Sequence, residues 1–257
     1  MIKSTTSRVL RHFGLDIIRL NPTATPPGEC PPDFSQQNVQ IFQQVKPFTM
    51  TSAERVNALV EAVRYVVRAG IPGALVECGV WKGGSAMAMA LTLRELQCQD
   101  RELFLYDTYS GMSAPTDADV AIGGARAQET FASKSTSEDS SDWCRSSLDE
   151  VSTNVLSTGY PKQRIRFVEG KVEATIPQTI PQQIALLRLD TDWYESTRHE
   201  LVHLFPLVAA NGIVIIDDYG HWDGARKAVD EYFAESGRTI LLNRIDYTGR
   251  IAVKTTG

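Results

Sequence analysis

The stretch ALLRLDTD at residues 185–192 is an apolar run that ends in two carboxylates. In an α/β protein, such a run forms a buried parallel strand whose carboxyl end opens onto the crevice where ligands bind. A second run, GIVII at 212–216, leads directly into Asp217 and Asp218. Carboxylates that converge from two neighbouring strands repel one another unless a cation lies between them. The pattern therefore predicts a divalent metal site.

Length and composition restrict the class of protein. The chain has 257 residues, enough for one α/β domain with an N-terminal extension, and its 42% hydrophobic and 22% charged residues are typical of soluble globular proteins. A net charge of -5 disfavours a nucleic-acid partner. Because no run reaches the ~20 apolar residues of a membrane span and the first residues lack a signal-peptide core, we expect a cytoplasmic protein without a membrane partner.

The N-terminal part differs from the rest. Residues 1–19 have the pattern of a short basic amphipathic helix, which we interpret as a docking or oligomer arm, and prolines at 21–32 indicate an extended linker. We place arm and linker at residues 1–47 and the main domain at 48–257. A helix is predicted from the N-cap Ser52 to the breaker GIPG at 70–73.

A cofactor site is predicted where the strand ALVECG (74–79) enters the glycine-rich turn VWKGGS (80–85) and then a helix. Glycines let a backbone approach a ligand closely, and a helix N-terminus offers free N–H groups. The next strand, LFLYD (103–107), ends at Asp107, where such folds supply a carboxylate to ribose hydroxyls. A purely structural turn, with Asp107 as a cap or turn residue, is the alternative.

The other patterns complete the predicted fold. Strands at 164–170, 239–242 and 251–253 alternate with helices at 148–156, 172–177, 195–209 and 224–234, which predicts a mainly parallel, Rossmann-like seven-stranded sheet with an antiparallel edge strand. The serine-rich, acidic segment 116–147 is interpreted as a lid, with a solvated helix as the alternative. His199 and His203 have a spacing that can bind metal, but solvated or core-edge positions are favoured. We expect His221 and Trp222 to line the substrate pocket.

Together these motifs resemble the TylF/MycF-type O-methyltransferases, metal-dependent S-adenosylmethionine enzymes that methylate sugar hydroxyls on natural products. The resemblance covers roughly residues 45–255. It is carried by FTMTS (48–52), VECGVWKGGS (76–85), YDTYSGM (106–112), LRLD (187–190) with YEST (194–197), and IIDDY (215–219).

The resemblance implies roles for individual residues. Asp190, Asp217 and Asp218 would bind Mg²⁺, Asp107 would bind the ribose hydroxyls, and the turn 169–171 would lie near the adenine. The other implied cofactor-binding residues are Met50, Glu77, Gly79, Ser85, Gly170 and Asp190. A homo-oligomer and a small-molecule glycoside substrate are also implied.

The chemistry agrees with this resemblance, because an aliphatic hydroxyl barely ionises at neutral pH and a metal ion stabilises the alkoxide as it forms. Asp190, or alternatively Asp192, is then the expected general base. Two other functions stay open. A phenolic or catechol-like acceptor predicts a pocket lined by aromatic residues drawn from Trp143, Trp193, Tyr219 and Trp222. A catalytically silent binding or assembly protein predicts a lost metal ligand.

Overall fold

The computed structural model describes residues 30–255, and the compact unit that carries the sheet begins at Asp33. The helix predicted at 1–19 lies outside the described residues. Among residues 30–255, no helix combines the length and the apolar character that crossing a membrane requires.

The central feature is a seven-stranded sheet, accompanied by a small separate hairpin. The strands, in chain order, are β1 (Ala74–Cys78), β2 (Leu103–Asp107), β3 (Ser135–Ser137), β4 (Ser140–Ser141), β5 (Ile165–Glu169), β6 (Ile184–Leu189), β7 (Val208–Ile216), β8 (Asn243–Arg244) and β9 (Arg250–Val253).

The sheet order is β5-β2-β1-β6-β7-β9-β8. The five strands from β5 to β7 are parallel, whereas β9 runs antiparallel to β7 and β8 antiparallel to β9. The predicted mainly parallel sheet with antiparallel pairing at one edge is therefore confirmed. The carboxyl ends of β5, β2, β1, β6 and β7 meet at the same edge of the sheet, which is where parallel α/β sheets bind ligands.

Eight α-helices among residues 30–255 accompany the sheet, with short 3₁₀ turns at Lys46–Phe48, Lys162–Arg164 and Phe205–Leu207. They are α1 (Gln36–Val45), α2 (Ala53–Arg68), α3 (Gly84–Glu95), α4 (Ala127–Lys134), α5 (Leu148–Ser157), α6 (Val172–Thr175), α7 (Tyr194–Leu204) and α8 (Asp223–Ser236). The Ser52 hydroxyl accepts the Arg55 N–H at 3.2 Å, so the predicted N-cap of α2 is confirmed.

Side-chain alternation along the strands separates two faces. On one face Cys78, Leu187 and Ile216 join a core formed with Leu201 of α7 and Phe233 of α8. The opposite face of β6 and β7 packs against α2. Glu77 and Arg188 lie opposite each other on the neighbouring strands β1 and β6. Their buried side chains form a hydrogen bond.

The structure differs from the sequence predictions in three places, and it adds detail to the segment 116–147. Residues 36–45, which we assigned to the linker, form a helix with Ile41, Phe42 and Val45 buried. Strand β7 begins at Val208, inside the predicted helix 195–209. The strand expected at 239–242 lies at Asn243–Arg244 instead. The segment 116–147 contains α4 and the β3–β4 hairpin.

Candidate functional site

A cavity of about 380 Å³ opens at the carboxyl edge of the sheet. Every residue that the sequence analysis proposed for cofactor or metal lines this one cavity, namely Met50, Glu77, Gly79, Ser85, Asp107, Gly170, Asp190, Asp217 and Asp218. Asp192, His221 and Trp222 line it as well. The volume lies within the roughly 300–1,000 Å³ range of small-molecule sites.

One end of the cavity is formed by the glycine-rich turn and the ends of β1, β2 and β5. Gly79 has φ +84°, and a Cβ there would lie 1.9 Å from the Asp190 carbonyl oxygen. A Cβ at Gly84 would lie 2.6 Å from the Phe48 carbonyl oxygen. Only glycine fits these close approaches, so Gly79 brings the turn against the end of β6 at Asp190, and Gly84 brings the start of α3 against Phe48.

Asp107 holds this turn in place. Its Oδ2 accepts the N–H groups of Val80 at 2.7 Å and Trp81 at 3.0 Å, and its Oδ1 accepts the Tyr109 N–H at 2.8 Å. The Asp107 carbonyl accepts the Gly170 N–H at 2.9 Å, which ties the turn after β5 to β2. Asp107 therefore has the structural role of a turn residue that was considered as the alternative. Its Oδ1 can still accept a further hydrogen bond from a ligand hydroxyl.

Glu77 is a buried carboxyl that faces the cavity. Its Oε1 accepts a 2.7 Å hydrogen bond from Arg188, while its Oε2 is buried and has no hydrogen-bond partner among residues 30–255. Burial raises the pKa of Glu77 to about 7, against the lowering effect of Arg188. Because an unpaired buried acceptor costs free energy, Oε2 is suited to a ligand donor.

The predicted acidic cluster forms at the ends of β6 and β7. One carboxylate oxygen from each of Asp190, Asp217 and Asp218 lies within 4.8 Å of the others. Burial raises the pKa of Asp190 and of Asp218 well above the ordinary range, and the neighbouring carboxylates raise both further. Carboxylate oxygens are hard donors of the kind that Mg²⁺ binds, so these residues fit the ion.

A buried arginine, to which sequence analysis gave no role, lies at the centre of this cluster. Arg188 Nη1 contacts Glu77 Oε1 and Asp190 Oδ2 at 2.7 Å each, and its Nη2 donates to Asp217 Oδ1 at 2.7 Å. Although burial lowers the pKa of Arg188, these carboxylates raise it well above its ordinary value. The signal was available, because a charged residue inside a buried strand requires partners.

Arg55 provides a second cation from helix α2. Its guanidinium pairs with Asp217 Oδ2 and lies 3.0 Å from Asp246 Oδ2. Asp246 in turn accepts the Ser52 hydroxyl at 2.7 Å. The start of α2 is thereby fixed to the acidic end of β7 and to the turn between β8 and β9.

Asp192 lies beside the three converging carboxylates, and its carboxyl group is hydrogen-bonded to that of Asp218. It has φ +67°, and its Oδ1 accepts the indole N–H of Trp222 at 2.7 Å. Burial and the neighbouring Asp190 raise the pKa of Asp192 to about 7. A carboxyl with a pKa near the operating pH is suited to general-base catalysis.

Aromatic rings cover this end of the cavity. The rings of Trp143, Trp193 and Trp222 pack edge to face, with centroids 5.2–6.2 Å apart. Trp143 and Trp222 line the cavity, whereas Trp193 lies behind them and donates to the Ser113 carbonyl at 3.1 Å. Tyr219 is not among the lining residues.

The segment 116–147 reaches both ends of the cavity. Trp143 joins the aromatic cluster, and Asp139, between β3 and β4, forms an ion pair with Lys171. Lys171 follows Gly170 in the turn predicted to lie near the adenine. The segment is also anchored by the buried Asp119, whose Oδ1 accepts the Tyr194 N–H at 2.8 Å at the start of α7.

Three other residues from the sequence analysis have definite positions. His199 Nε2 lies 2.9 Å from the Ile176 carbonyl oxygen, and the centre of its ring lies 4.4 Å from that of His203, with the two rings tilted by 53°. Neither histidine lines the cavity or belongs to the acidic cluster found among residues 30–255. Met50 lines the mouth of the cavity with 61% of its surface exposed.

Comparison with known proteins agrees with this geometry. The model of the macrocin-O-methyltransferase (TylF) family matches residues 38–253. An 8-demethyl-8-(2,3-dimethoxy-alpha-L-rhamnosyl)-tetracenomycin-C 4'-O-methyltransferase of Streptomyces olivaceus is 33% identical over 202 residues, covering 78% of this chain and 73% of that protein. A mycinamicin III 3''-O-methyltransferase of Micromonospora griseorubida is 30% identical over 201 residues, covering 78% and 76% respectively.

The fold is shared with a solved relative. The structure of the O-methyltransferase NovP superposes with a TM-score of 0.72 at 30% identity, covering 81% of this chain and 83% of that one. The sheet, the glycine-rich turn and these matches define the chain as an S-adenosylmethionine-dependent O-methyltransferase. Within that class, it belongs to the macrocin-O-methyltransferase (TylF) family.

Proposed function

We propose that this chain methylates a sugar hydroxyl of a glycosylated natural product in antibiotic biosynthesis, using S-adenosylmethionine and Mg²⁺. The observation that carries the proposal is that one cavity joins a glycine-rich turn to a three-carboxylate cluster on the next two strands. The relatives from Streptomyces olivaceus and Micromonospora griseorubida support a sugar acceptor, since the first is named for a rhamnosyl-tetracenomycin and the second for mycinamicin III.

The cofactor end follows from the strand order. Neighbouring strands lie about 4.8 Å apart, so the four intervals from β5 to β7 place Gly170 and Asp217 roughly 19 Å apart along the sheet edge. S-adenosylmethionine supplies an electrophilic methyl group on its sulfonium. Glu77 Oε2 is available to accept from its amino group and Asp107 Oδ1 from its ribose, while Gly79, Ser85 and Gly170 shape the cleft and Met50 borders it.

The metal end would be held by Asp190, Asp217 and Asp218. A bound Mg²⁺ lowers the pKa of an acceptor hydroxyl. The protein offsets part of the negative charge with Arg188 and Arg55, yet Asp190, Asp192, Asp217 and Asp218 outnumber these two cations. The excess negative charge favours binding of a divalent cation.

We assign the general base to Asp192 in preference to Asp190. Asp190 Oδ2 is already paired with Arg188 at 2.7 Å, and Asp190 belongs to the proposed metal set. Asp192 lies beside that set and is oriented by the Trp222 indole N–H. It is therefore positioned to remove the proton of the acceptor hydroxyl as the methyl group is transferred.

The acceptor end favours an uncharged sugar ring. Indole faces of Trp143 and Trp222 suit the apolar C–H face of a pyranose, while the adjacent carboxylates suit its hydroxyls. A nucleotide-diphosphate sugar would bring anionic charge against Asp190, Asp192 and Asp218. The substrate is therefore proposed to be a glycoside, in which a glycosyl transfer has already attached the sugar to its aglycone.

A phenolic or catechol-like acceptor is the second candidate, because Trp143 and Trp222, two of the four aromatic residues considered for it, line the cavity. A silent binding protein is disfavoured, since all three metal-binding carboxylates are present.

The test is to incubate the protein with labelled S-adenosylmethionine and Mg²⁺ against glycosides, their free aglycones and simple catechols. We expect label on the sugar of a glycoside and none on its aglycone. Label on catechols alone would support the second candidate and refute the first. A homo-oligomer formed through the N-terminal arm is also proposed, and it predicts a lower mass in light scattering when residues 1–30 are deleted.

A further inference from the structure

Glu200 is a buried acid behind the acidic cluster that neither metal binding nor proton transfer uses. It lies on α7 with none of its surface exposed. Its Oε1 accepts the hydroxyl of Thr191 at 3.0 Å, and its Oε2 has no hydrogen-bond partner among residues 30–255. The charged groups acting on it are carboxylates, namely Glu173, Asp218 and Asp190.

An ionised carboxylate in this position would be costly. Burying an unpaired charge carries a large desolvation penalty, and the surrounding carboxylates add repulsion. Burial, together with these neighbours, raises the pKa of Glu200 well above its ordinary value despite the bond from Thr191. The contact through which Glu200 acts on the site is its hydrogen bond with the Thr191 hydroxyl.

Thr191, the hydrogen-bond partner of Glu200, lies between two residues of the proposed site. Thr191 separates Asp190, a proposed metal ligand, from Asp192, the proposed base. The loop that holds them leaves β6 with Asp190 N–H bonded to the Cys78 carbonyl at 2.8 Å, and Asp192 then adopts φ +67°. This unfavourable backbone conformation requires support from surrounding contacts. The Glu200–Thr191 bond supplies such a contact from α7.

We infer that Glu200 is a positioning residue, which holds Thr191 and thereby fixes the carboxylates of Asp190 and Asp192 for the metal ion and the acceptor. This inference rests on the proposed metal site. Groups that orient metal ligands from behind typically change metal affinity by about 10–100-fold when removed. The cofactor end, formed by β1, β2 and β5, does not depend on this contact.

The test compares Mn²⁺ affinity with S-adenosylhomocysteine affinity, both by calorimetry, so that no acceptor is needed. We expect Glu200→Leu and Thr191→Val each to weaken Mn²⁺ binding by about tenfold or more. The double variant should be no weaker than either single one, because both remove the same bond. S-adenosylhomocysteine affinity should stay within about threefold, since its site lies elsewhere in the cavity.

Conservative and control variants separate positioning from general damage. Glu200→Gln keeps an uncharged acceptor and should retain Mn²⁺ affinity near that of the unmodified protein. Thr197→Val makes the same Thr-to-Val exchange at a buried position on α7 and should also leave Mn²⁺ affinity unchanged. If Glu200→Leu fails to fold, Thr191→Val carries the test, because it removes only one half-buried hydroxyl.

The outcomes are distinct. Unaltered Mn²⁺ affinity in Thr191→Val, or equal losses of Mn²⁺ and S-adenosylhomocysteine affinity, would overturn the positioning role. If the unmodified protein bound S-adenosylhomocysteine but no Mn²⁺, the metal site and the positioning role would both fail. If it bound neither, the proposed function itself would fail.

Discussion

The guanidinium of Arg188 donates a 2.7 Å hydrogen bond to Glu77 Oε1 between two neighbouring strands of the sheet. The bond connects the proposed cofactor end of the cavity with the acidic cluster, because Arg188 also pairs with Asp190 and Asp217. A single buried cation therefore organises carboxylates from three strand ends.

Replacing this cation should be strongly destabilising. Arg188→Met leaves three carboxylates without their shared partner, and breaking a buried pair in this way costs about 3–5 kcal/mol of unfolding free energy. Urea denaturation measures the loss. Arg166→Met is the matched control, because its pair with Glu102 is exposed and should contribute less than about 1 kcal/mol. Similar effects of the two substitutions would contradict a central role for Arg188.

The metal site should be separable from the cofactor site. Asp218→Asn removes one charged ligand without taking a carboxylate from Arg188 or Arg55, so we expect Mn²⁺ affinity to fall by more than about tenfold. The affinity of Asp218→Asn for S-adenosylhomocysteine should stay within a few-fold of that of the unmodified protein. Asp217→Asn should abolish activity while also sparing cofactor binding. A large loss of S-adenosylhomocysteine binding in Asp218→Asn would show that the carboxylates serve the cofactor instead.

The assignment of the base predicts a different pattern at Asp192. Asp192→Asn keeps the oxygen that accepts from Trp222 but cannot take a proton, so kcat should fall by about 10²–10⁴-fold. Mn²⁺ and S-adenosylhomocysteine affinities should both persist. Turnover by Asp192→Asn comparable to that of the exposed control Asp142→Asn would return the base to Asp190.

The lid proposal predicts an effect on ligand release. The Lys171–Asp139 ion pair joins segment 116–147 to the turn near the proposed adenine position. Because the pair is partly exposed and contributes about 0.2–1 kcal/mol, Lys171→Met should speed S-adenosylhomocysteine dissociation by about 1.4- to fivefold. Stopped-flow measurements at low salt reveal the difference, which should shrink as salt screens the pair. Lys162→Met, in the turn before β5, is the control. An equal increase of the dissociation rate in this variant would argue against a role of the Lys171–Asp139 pair in retaining the ligand.

Much of this architecture could be predicted from sequence because the strands carry their own signals. The run 103–107 forms β2 at the predicted bounds, and the carboxylates after β6 and β7 meet as expected. In a parallel sheet, a residue directly after a strand must lie at the carboxyl edge. Strand bounds and strand order therefore place Asp107, Asp190 and Asp217 without any knowledge of side-chain contacts.

What could not be predicted depends on contacts between distant segments. Arg188 lies within an apolar run, and sequence alone does not name Glu77 and Asp217 as its partners. Helix α1 directly follows a proline-rich stretch, and for that reason we assigned its residues to the linker. The helix nevertheless has sequence signals of its own, because Ser35 caps it and Ile41, Phe42 and Val45 have helical spacing. The strand β8 has two residues and, among residues 30–255, pairs with β9 alone, so its position is set by that pairing rather than by propensity.

The central claim is that the cavity binds S-adenosylmethionine beside a separate metal site. The most direct test is calorimetric titration of the purified chain with S-adenosylhomocysteine, with and without Mg²⁺. We predict binding in the micromolar range under both conditions, because the cofactor contacts come from β1, β2 and β5 while the metal serves the acceptor. An absence of binding under both conditions would contradict the cofactor assignment and leave Asp190, Asp217 and Asp218 as a metal site for another reaction.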